Sequence, residues 1–246
     1  MASDPSQLTI EFQPERRVDV IDVNQRIEQE ANGLLQRHSK ALYCSYHTTG
    51  GYLEETICNR LDRCQDQVHE FLAPFRELFP FGADYRHDQL HLRKELSPEQ
   101  RRTEPRNADS HLTFIGSGLE NCVTYPSNPS RPVFFIDLDG INKDNQDRRE
   151  RRTTVIGYDD ERLVHETELE VPVSDHPIDS VSLRDPRFGV FKRLHEMLAA
   201  HGIKTGRVLL DLVPEENHAG LTVNEYETLL MKHDLAEVLR DPLQFM

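Results

Sequence analysis

Residues 107–119, NADSHLTFIGSGL, set Asn107, Asp109, Ser110 and His111 directly ahead of the apolar run Leu112 to Leu119. An amide, a carboxylate, a hydroxyl and an imidazole so close together can hold a metal or phosphate, move a proton, or simply form a turn. The chain has 12 histidines. Three of them, His47, His87 and His111, fit the ligand number of a catalytic divalent metal, zinc above all, which keeps one position open. Asp109 could orient such a ligand or act as a general base, and its plainer role is a turn or cap. Asp137 and Asp139 alternate along FFIDLDG and share one face, which suits Mg²⁺, a cationic ligand, or a strand running out into a solvated turn at Gly140. Arg151 and Arg152 open a following strand, where guanidinium groups can clamp a phosphate. With Thr48 and Thr49 they would make a phosphate pocket. They belong to QDRRERR (Arg148, Arg149, Arg151, Arg152), which reads as a solvated turn or an anion-binding patch. His91 follows His87 by four residues, which would place both on one face if HDQLHLRKE is helical.

These groups need elements to position them. LTIEFQ and RVDVIDV alternate as half-buried strands do. VNQRIEQEANGLLQRH has helical spacing with a weak point at Gly33, and ALYCSYH reads as a strand ending at His47. GGYLEETICNRLDRCQDQVHEFLAPFRELF predicts one long helix that breaks near Pro74. Residues 82–110 are polar and proline-punctuated, as in a long loop or short helix. Strands are then expected over LTFIGSGLENCVTY, RPVFFIDLDG and RRTTVIGY, with ERLVHETELEVPV as an edge. DHPIDSVSLRDP reads as a connector, RFGVFKRLHEMLAAHG as a helix closed by Gly202, GRVLLDLVP as a buried strand and TVNEYETLLMKHDLAEVLRD as a final helix. The expected fold class is α+β, an antiparallel β-sandwich with packed helices. There is no dinucleotide fingerprint and no P-loop. Two stretches, 41–62 and 206–234, share a strand–turn–helix plan, and Asn224 and Glu225 fall in the first turn of the last helix, where capping is their plain role.

With 43 acidic and 29 basic residues the formal net charge is −14. That balance speaks against nucleic acid and anionic membrane partners, whose phosphates require Lys and Arg. No apolar run reaches the roughly 20 residues of a membrane span, and the N-terminus has no secretory pattern. The four cysteines, Cys44, Cys58, Cys64 and Cys122, include no CxxC pair, so reduced thiols in a cytoplasmic protein are expected.

Three segments together resemble the YjbQ family, also called secondary thiamine-phosphate synthases. YHTTGG is similar to its H-T-[ST]-[AG] motif over His47, Thr48 and Thr49. YRHD followed by NADSHL is similar to its Y-x-H-D and N-A-D-[SA]-H-L motifs over His87, Asp88, Asn107, Asp109, Ser110 and His111. VFFIDLDG with the return strand RRTTVIG resembles its aromatic strand, placing Asp137, Asp139, Gly140, Arg151 and Arg152. The resemblance spans residues 38–158. It departs in two places: Tyr52 to Thr56 stand where the family has L-T-[IL]-N-E, and NPSRPVFF replaces a G-T-W-Q turn. The missing piece recurs at the far end as Leu221, Thr222, Asn224 and Glu225, with Asp234 beyond. The resemblance implies that His47, His87 and His111 are neighbours in a homotrimer. It also implies an activity joining a pyrimidine pyrophosphate to a thiazole phosphate, or acting on a related phosphorylated metabolite. The alternative is a metal- or phosphate-binding module without turnover. The expected organisation is a YjbQ-like core over 1–165 and a strand–helix extension over 166–246, packed on the core as a partial repeat. In it, Asn224 and Glu225 would return to the pocket.

Overall fold

The structure, a computed structural model, describes residues 4–30, 33–94, 96–142, 146–173, 179–216, 219–222 and 225–245. The chain opens with β1 (Ser6–Phe12), β2 (Asp19–Asp22), α1 (Val23–Glu30), α2 (Leu34–Arg37), β3 (Lys40–Ser45) and β4 (Gly50–Gly51). Helices α3 (Glu55–Arg60), α4 (Gln65–Leu78), α5 (Pro98–Thr103) and α6 (Ala108–Gly116) follow. Then come β5 (Cys122–Pro126), β6 (Phe134–Asp137), β7 (Arg151–Tyr158), β8 (Asp179–Ser182), α7 (Val190–Ala200), β9 (Ala219–Thr222) and α8 (Glu225–Arg240).

The fold is α+β. One antiparallel sheet runs β1-β7-β3-β5 and a second runs β2-β6-β4, while β8 and β9 pair in parallel. Parallel partners cannot be joined by a tight hairpin, so the chain between them crosses over and carries α7. In β1 the alternation SQLTIEF turns Leu8, Ile10 and Phe12 inward and Gln7, Thr9 and Glu11 outward. Their inner face meets the second sheet, where Phe12 sits edge-on to Phe135 with ring centroids 5.0 Å apart. Phe135 is fully buried, and such burial is worth roughly 1.5–3 kcal/mol. Tyr43, Tyr52 and Tyr125 fill the same core. Each hydroxyl finds a partner there: Asn24 Oδ1 for Tyr43, Thr153 for Tyr52 and the Leu53 carbonyl for Tyr125.

Several expectations are corrected. The apolar run after NADS is not a strand: Ala108–Gly116 is helix α6, and only Cys122–Pro126 pairs in the sheet. A helix wins because Ala108, His111 and Leu112 recur on one buried face and Asp109 sits favourably in the first turn. Gly118, at φ +69°, ends the segment in a left-handed conformation that glycine adopts without penalty. The long helix after Gly50–Gly51 is two helices, broken at Asp62 and Arg63 (φ 51° and 47°), while Pro74 lies inside α4. The expected helix over 23–38 is divided around Gly33, φ +86°. Residues 86–94 form turns, so His87 and His91 do not share a helix face. The connector DHPIDSVSLRDP carries β8.

Neither ERLVHETELEVPV nor GRVLLDLVP is a strand. Both run without regular structure among the described residues, with Leu163 and Leu209 77% and 80% exposed. β-propensity reflects packing on a paired, half-buried surface, and these segments have no strand beside them. The first strand of the second strand–turn–helix unit is therefore absent, although β9, which contains Gly220, and α8 follow later in it. Helix α8 packs on the core: Leu235 and Val238 meet Phe79, Tyr85 and Leu112. Among the described residues no helix is long and apolar enough to cross a membrane.

Candidate functional site

The end of β3, the turn after it, the start of α6 and the β6–β7 connection converge on one cleft of about 240 Å³. Its lining includes His47, Thr48, Thr49, Asn107, His111, Asp139, Arg149 and Arg151, with Tyr46, Glu104 and Pro105 at its edges. Close backbone approach shapes it. A Cβ on Gly51 would fall 2.4 Å from the Glu120 carbonyl oxygen, and one on Gly140 would fall 2.4 Å from that of Arg16, so both positions require glycine.

Two buried carboxylates hold the arginines of the cleft, and of the two Asp139 belongs to its lining while Asp137 does not. Asp137 accepts from Arg151 Nε (2.6 Å) and Nη2 (2.8 Å) and from the Asp139 N–H (3.0 Å). Asp139 accepts from Arg17 Nη1 (3.0 Å) at Oδ1, and from Asn107 Nδ2 and Arg149 Nη2 (both 2.8 Å) at Oδ2. Bidentate geometry of this kind is what guanidinium groups form best. Removing one member of such a buried pair strands the other, at a cost of about 3–5 kcal/mol. Every oxygen of both carboxylates is thus occupied. Arg149 spends Nη2 on Asp139, while its buried Nε has no hydrogen-bond partner among the described residues.

Arg17 also holds Asp109 through Nη2 (3.0 and 3.1 Å) and reaches Ser110 Oγ (3.2 Å), whose hydroxyl donates to the Leu138 carbonyl (2.7 Å). Asp109 and Ser110 therefore brace α6 against β6 and lie in a separate depression behind the cleft, lined by Phe79 and Phe81. Burial holds the Asp109 carboxyl above the usual carboxylate range, with Arg17 pulling the other way. Asp88 caps α6 from outside by accepting the Ala108 N–H (3.0 Å), and it pairs with His87 Nδ1 (3.0 Å).

The histidines divide into two groups. His87 and His111 lie side by side, ring centroids 5.1 Å apart. Besides Asp88 at Nδ1, His87 meets the Arg93 guanidinium at Nε2 (3.4 Å). His47 accepts the Arg152 backbone N–H at Nε2 (2.8 Å), and its Nδ1 faces Arg151 Nη1 (3.5 Å). Burial, then the charges of Arg151, Arg152 and Arg149, push its pKa down to about 4, so the ring is neutral at pH 7. Ring nitrogens that face N–H donors have no lone pair to give a cation. Among the described residues no group of three or more His, Cys, Asp or Glu side chains is placed to hold a metal ion. In this arrangement the ring nitrogens of His47 and His87 are engaged by Arg151, Arg152, Arg93 and Asp88.

Of the other expected binding residues, Arg152 turns its side chain to the opposite face, where its guanidinium lies 4.4 Å from the Tyr46 ring centre. Asn224 lies outside the described residues, as does the side chain of Glu225. Asp234 is described: it accepts the backbone N–H groups of Arg86 (2.8 Å) and His87 (3.0 Å), tying α8 to the segment that bears His87. Sequence reading missed Arg17 and Glu104, and it named Arg149 only within the basic run read as a solvated turn or an anion-binding patch. For Arg149 a signal existed, because residues two apart on an extended segment share a face.

No family model and no curated protein matches the chain. Among solved structures, it is similar to a YbjQ-like protein of unknown function from Sulfolobus solfataricus P2, with 15% identity and a TM-score of 0.42 over 64% of this chain and 99% of that one. A hypothetical protein from Aeropyrum pernix K1 overlaps at 20% identity and TM-score 0.39, covering 62% of this chain and 97% of its own. An uncharacterized conserved protein of the YjbQ family from Clostridium acetobutylicum does so at 16% and 0.39, covering 60% and 97%.

Proposed function

We propose that the cleft binds the phosphate or pyrophosphate group of a small metabolite, with Arg149 and Arg151 as the cationic contacts and Thr48, Thr49 and Asn107 beside them. The observation that carries this reading is the state of Arg149. Its guanidinium is fixed by Asp139 at one nitrogen, lines the cleft, and keeps a buried Nε with no partner among the described residues. A planar cation held by a buried carboxylate suits a phosphate, because it meets the anion without reorganising.

The motif resemblance extends this to transfer chemistry of the thiamine-phosphate synthase type, in which the arginines would stabilise negative charge gathering on a departing pyrophosphate. A homotrimer belongs to the same proposal. Binding without turnover is the second reading, and one observation favours it: Asp137 and Asp139 have all their oxygens engaged by arginine, asparagine and backbone donors, so neither is a free base.

Calorimetric titration with inorganic pyrophosphate tests the shared part. A hydrogen bond to a charged group contributes about 1.5–3 kcal/mol, so Arg149→Met is expected to weaken binding roughly tenfold to a hundredfold. Asp139 would keep Arg17 and Asn107, so the fold should persist. Equal affinity in the two proteins would remove Arg149 from the site. Elemental analysis of untagged protein serves as the control, and close to one zinc per chain would return the histidines to the role of ligands.

A further inference from the structure

Two of the cysteines face one another across the sheet that flanks the cleft. In the β3–β5 ladder Cys44 is directly opposite Cys122. The Ser45 N–H donates to the Asn121 carbonyl (2.7 Å) and the Ser127 N–H to that of Ser39 (2.9 Å), so odd-numbered β3 positions form the hydrogen-bonded pairs of the ladder. Cys44 and Cys122 thus occupy a non-hydrogen-bonded pair, where Cα atoms approach to about 4.5 Å and side chains are nearest. That separation lies within the range a disulfide spans, about 4.4–6.8 Å. Cys122 is exposed while Cys44 is half-buried.

We infer that Cys44 and Cys122 are a cross-strand dithiol that a small-molecule disulfide oxidises to an intramolecular disulfide. The remaining cysteines have different surroundings. Cys58 is buried with its sulfur 3.4 Å from the Tyr125 hydroxyl, and Cys64 is exposed at the start of α4. The neighbouring Cys44 thiol lowers the Cys122 thiol's pKa, and the Arg207 guanidinium, bonded to neighbouring Thr124, lowers it further. The closeness of Cys122, with burial, raises that of Cys44. Cys122 is the exposed thiol of the pair, so an oxidant reaches it first, and its thiolate is the nucleophile. Cys122 loses its proton and attacks one sulfur of the oxidant, whose S–S bond breaks and releases the first thiolate. Cys44 then loses its proton and attacks the Cys122 sulfur, expelling the second. Two protein thiols give up two electrons and two protons, and the oxidant becomes two thiols. The exchange takes place one residue from Asn121, whose Nδ2 donates to the His47 carbonyl (2.6 Å).

The test treats fully reduced protein with oxidised glutathione and reads mass without reduction. Expected is loss of two hydrogens from the chain and a link between tryptic peptides 41–60 and 107–143 (the Arg131–Pro132 bond resists trypsin), with fragmentation assigning it to Cys44 and Cys122 rather than Cys58. Cys64 would at most carry a separate glutathione adduct. In Cys44→Ser, a change at a half-buried site, the reaction should halt at a glutathione adduct on Cys122. Wild-type protein that keeps both thiols, or that accumulates the Cys122 adduct without closing the link, would overturn the inference.

Discussion

At the scale of single residues, His47 stands between a backbone donor and an arginine cluster, and its protonation is opposed by both burial and charge. Its folded pKa of about 4 lies below the ordinary value of 6.5, so between these two values the unfolded chain binds more protons. The stability that neutral His47 contributes is complete above pH 6.5 and drains away as pH falls through 6.5 towards 4. Asp109 and Asp234, whose carboxyls burial raises, contribute with the opposite sign. The comparison that isolates His47 is therefore wild type against His47→Gln, by urea denaturation at several pH values. Wild type should lose more stability than the variant between pH 6.5 and 4, and parallel curves would refute the shift. NMR titration should place the His47 imidazole near pH 4, and bound phosphate should move it upward by offsetting the neighbouring guanidinium charge. Much of this chemistry was legible in residue type: His47, Thr48, Thr49, Asn107, His111, Asp139 and Arg151 all line the cleft. What spacing could have added is the choice between Arg149 and Arg152, since alternation pairs Arg151 with the former. Arg17, beside Arg16 and far upstream, gave no such signal.

At the scale of elements, the site depends on a helix that resembled a strand. LTFIGSGL is apolar enough for either, and local pattern does not separate them over so short a run. The deciding contributions come from elsewhere in the chain: the Asp88 cap on Ala108 and the Leu112 packing against Tyr85 and Val238. The β-rich stretch GRVLLDLVP fails for the converse reason, since propensity cannot supply a partner strand. Helix α8 is a working part of this arrangement. Asp234 satisfies two backbone donors next to His87, and Asp234→Ala would leave the buried His87 N–H without its acceptor. A loss of about 1.5–3 kcal/mol is expected, read by chemical denaturation. Hydrogen exchange should show faster exchange at His87 and at the start of α6. Unchanged protection at both would mean that α8 contributes nothing to the site.

At the scale of the whole molecule, a chain of net charge −14 concentrates Arg17, Arg149 and Arg151 around one cleft and holds them with Asp109, Asp137 and Asp139. The general acidity was plain from composition. The local reversal was visible only as a basic run whose destination depended on the fold. The α+β class was legible from alternating segments and helical periods. The parallel β8–β9 pair was not, because four residues around a proline-rich connector carry little pattern.

Arg17 has one more consequence, and it concerns time. It joins Asp139 and Asp109 across 122 and 92 residues of sequence. Contacts so distant along the chain close long loops before they return any stabilisation, so they are expected to form late, after the local helices and the nearer strand pairs. The cleft would then be absent from the folding transition state. A phosphate compound bound there should slow unfolding while leaving the refolding rate nearly unchanged, and stopped-flow measurements with and without saturating pyrophosphate would read both limbs. Refolding accelerated in proportion to the gain in stability would instead put Arg17 and its partners in the nucleus.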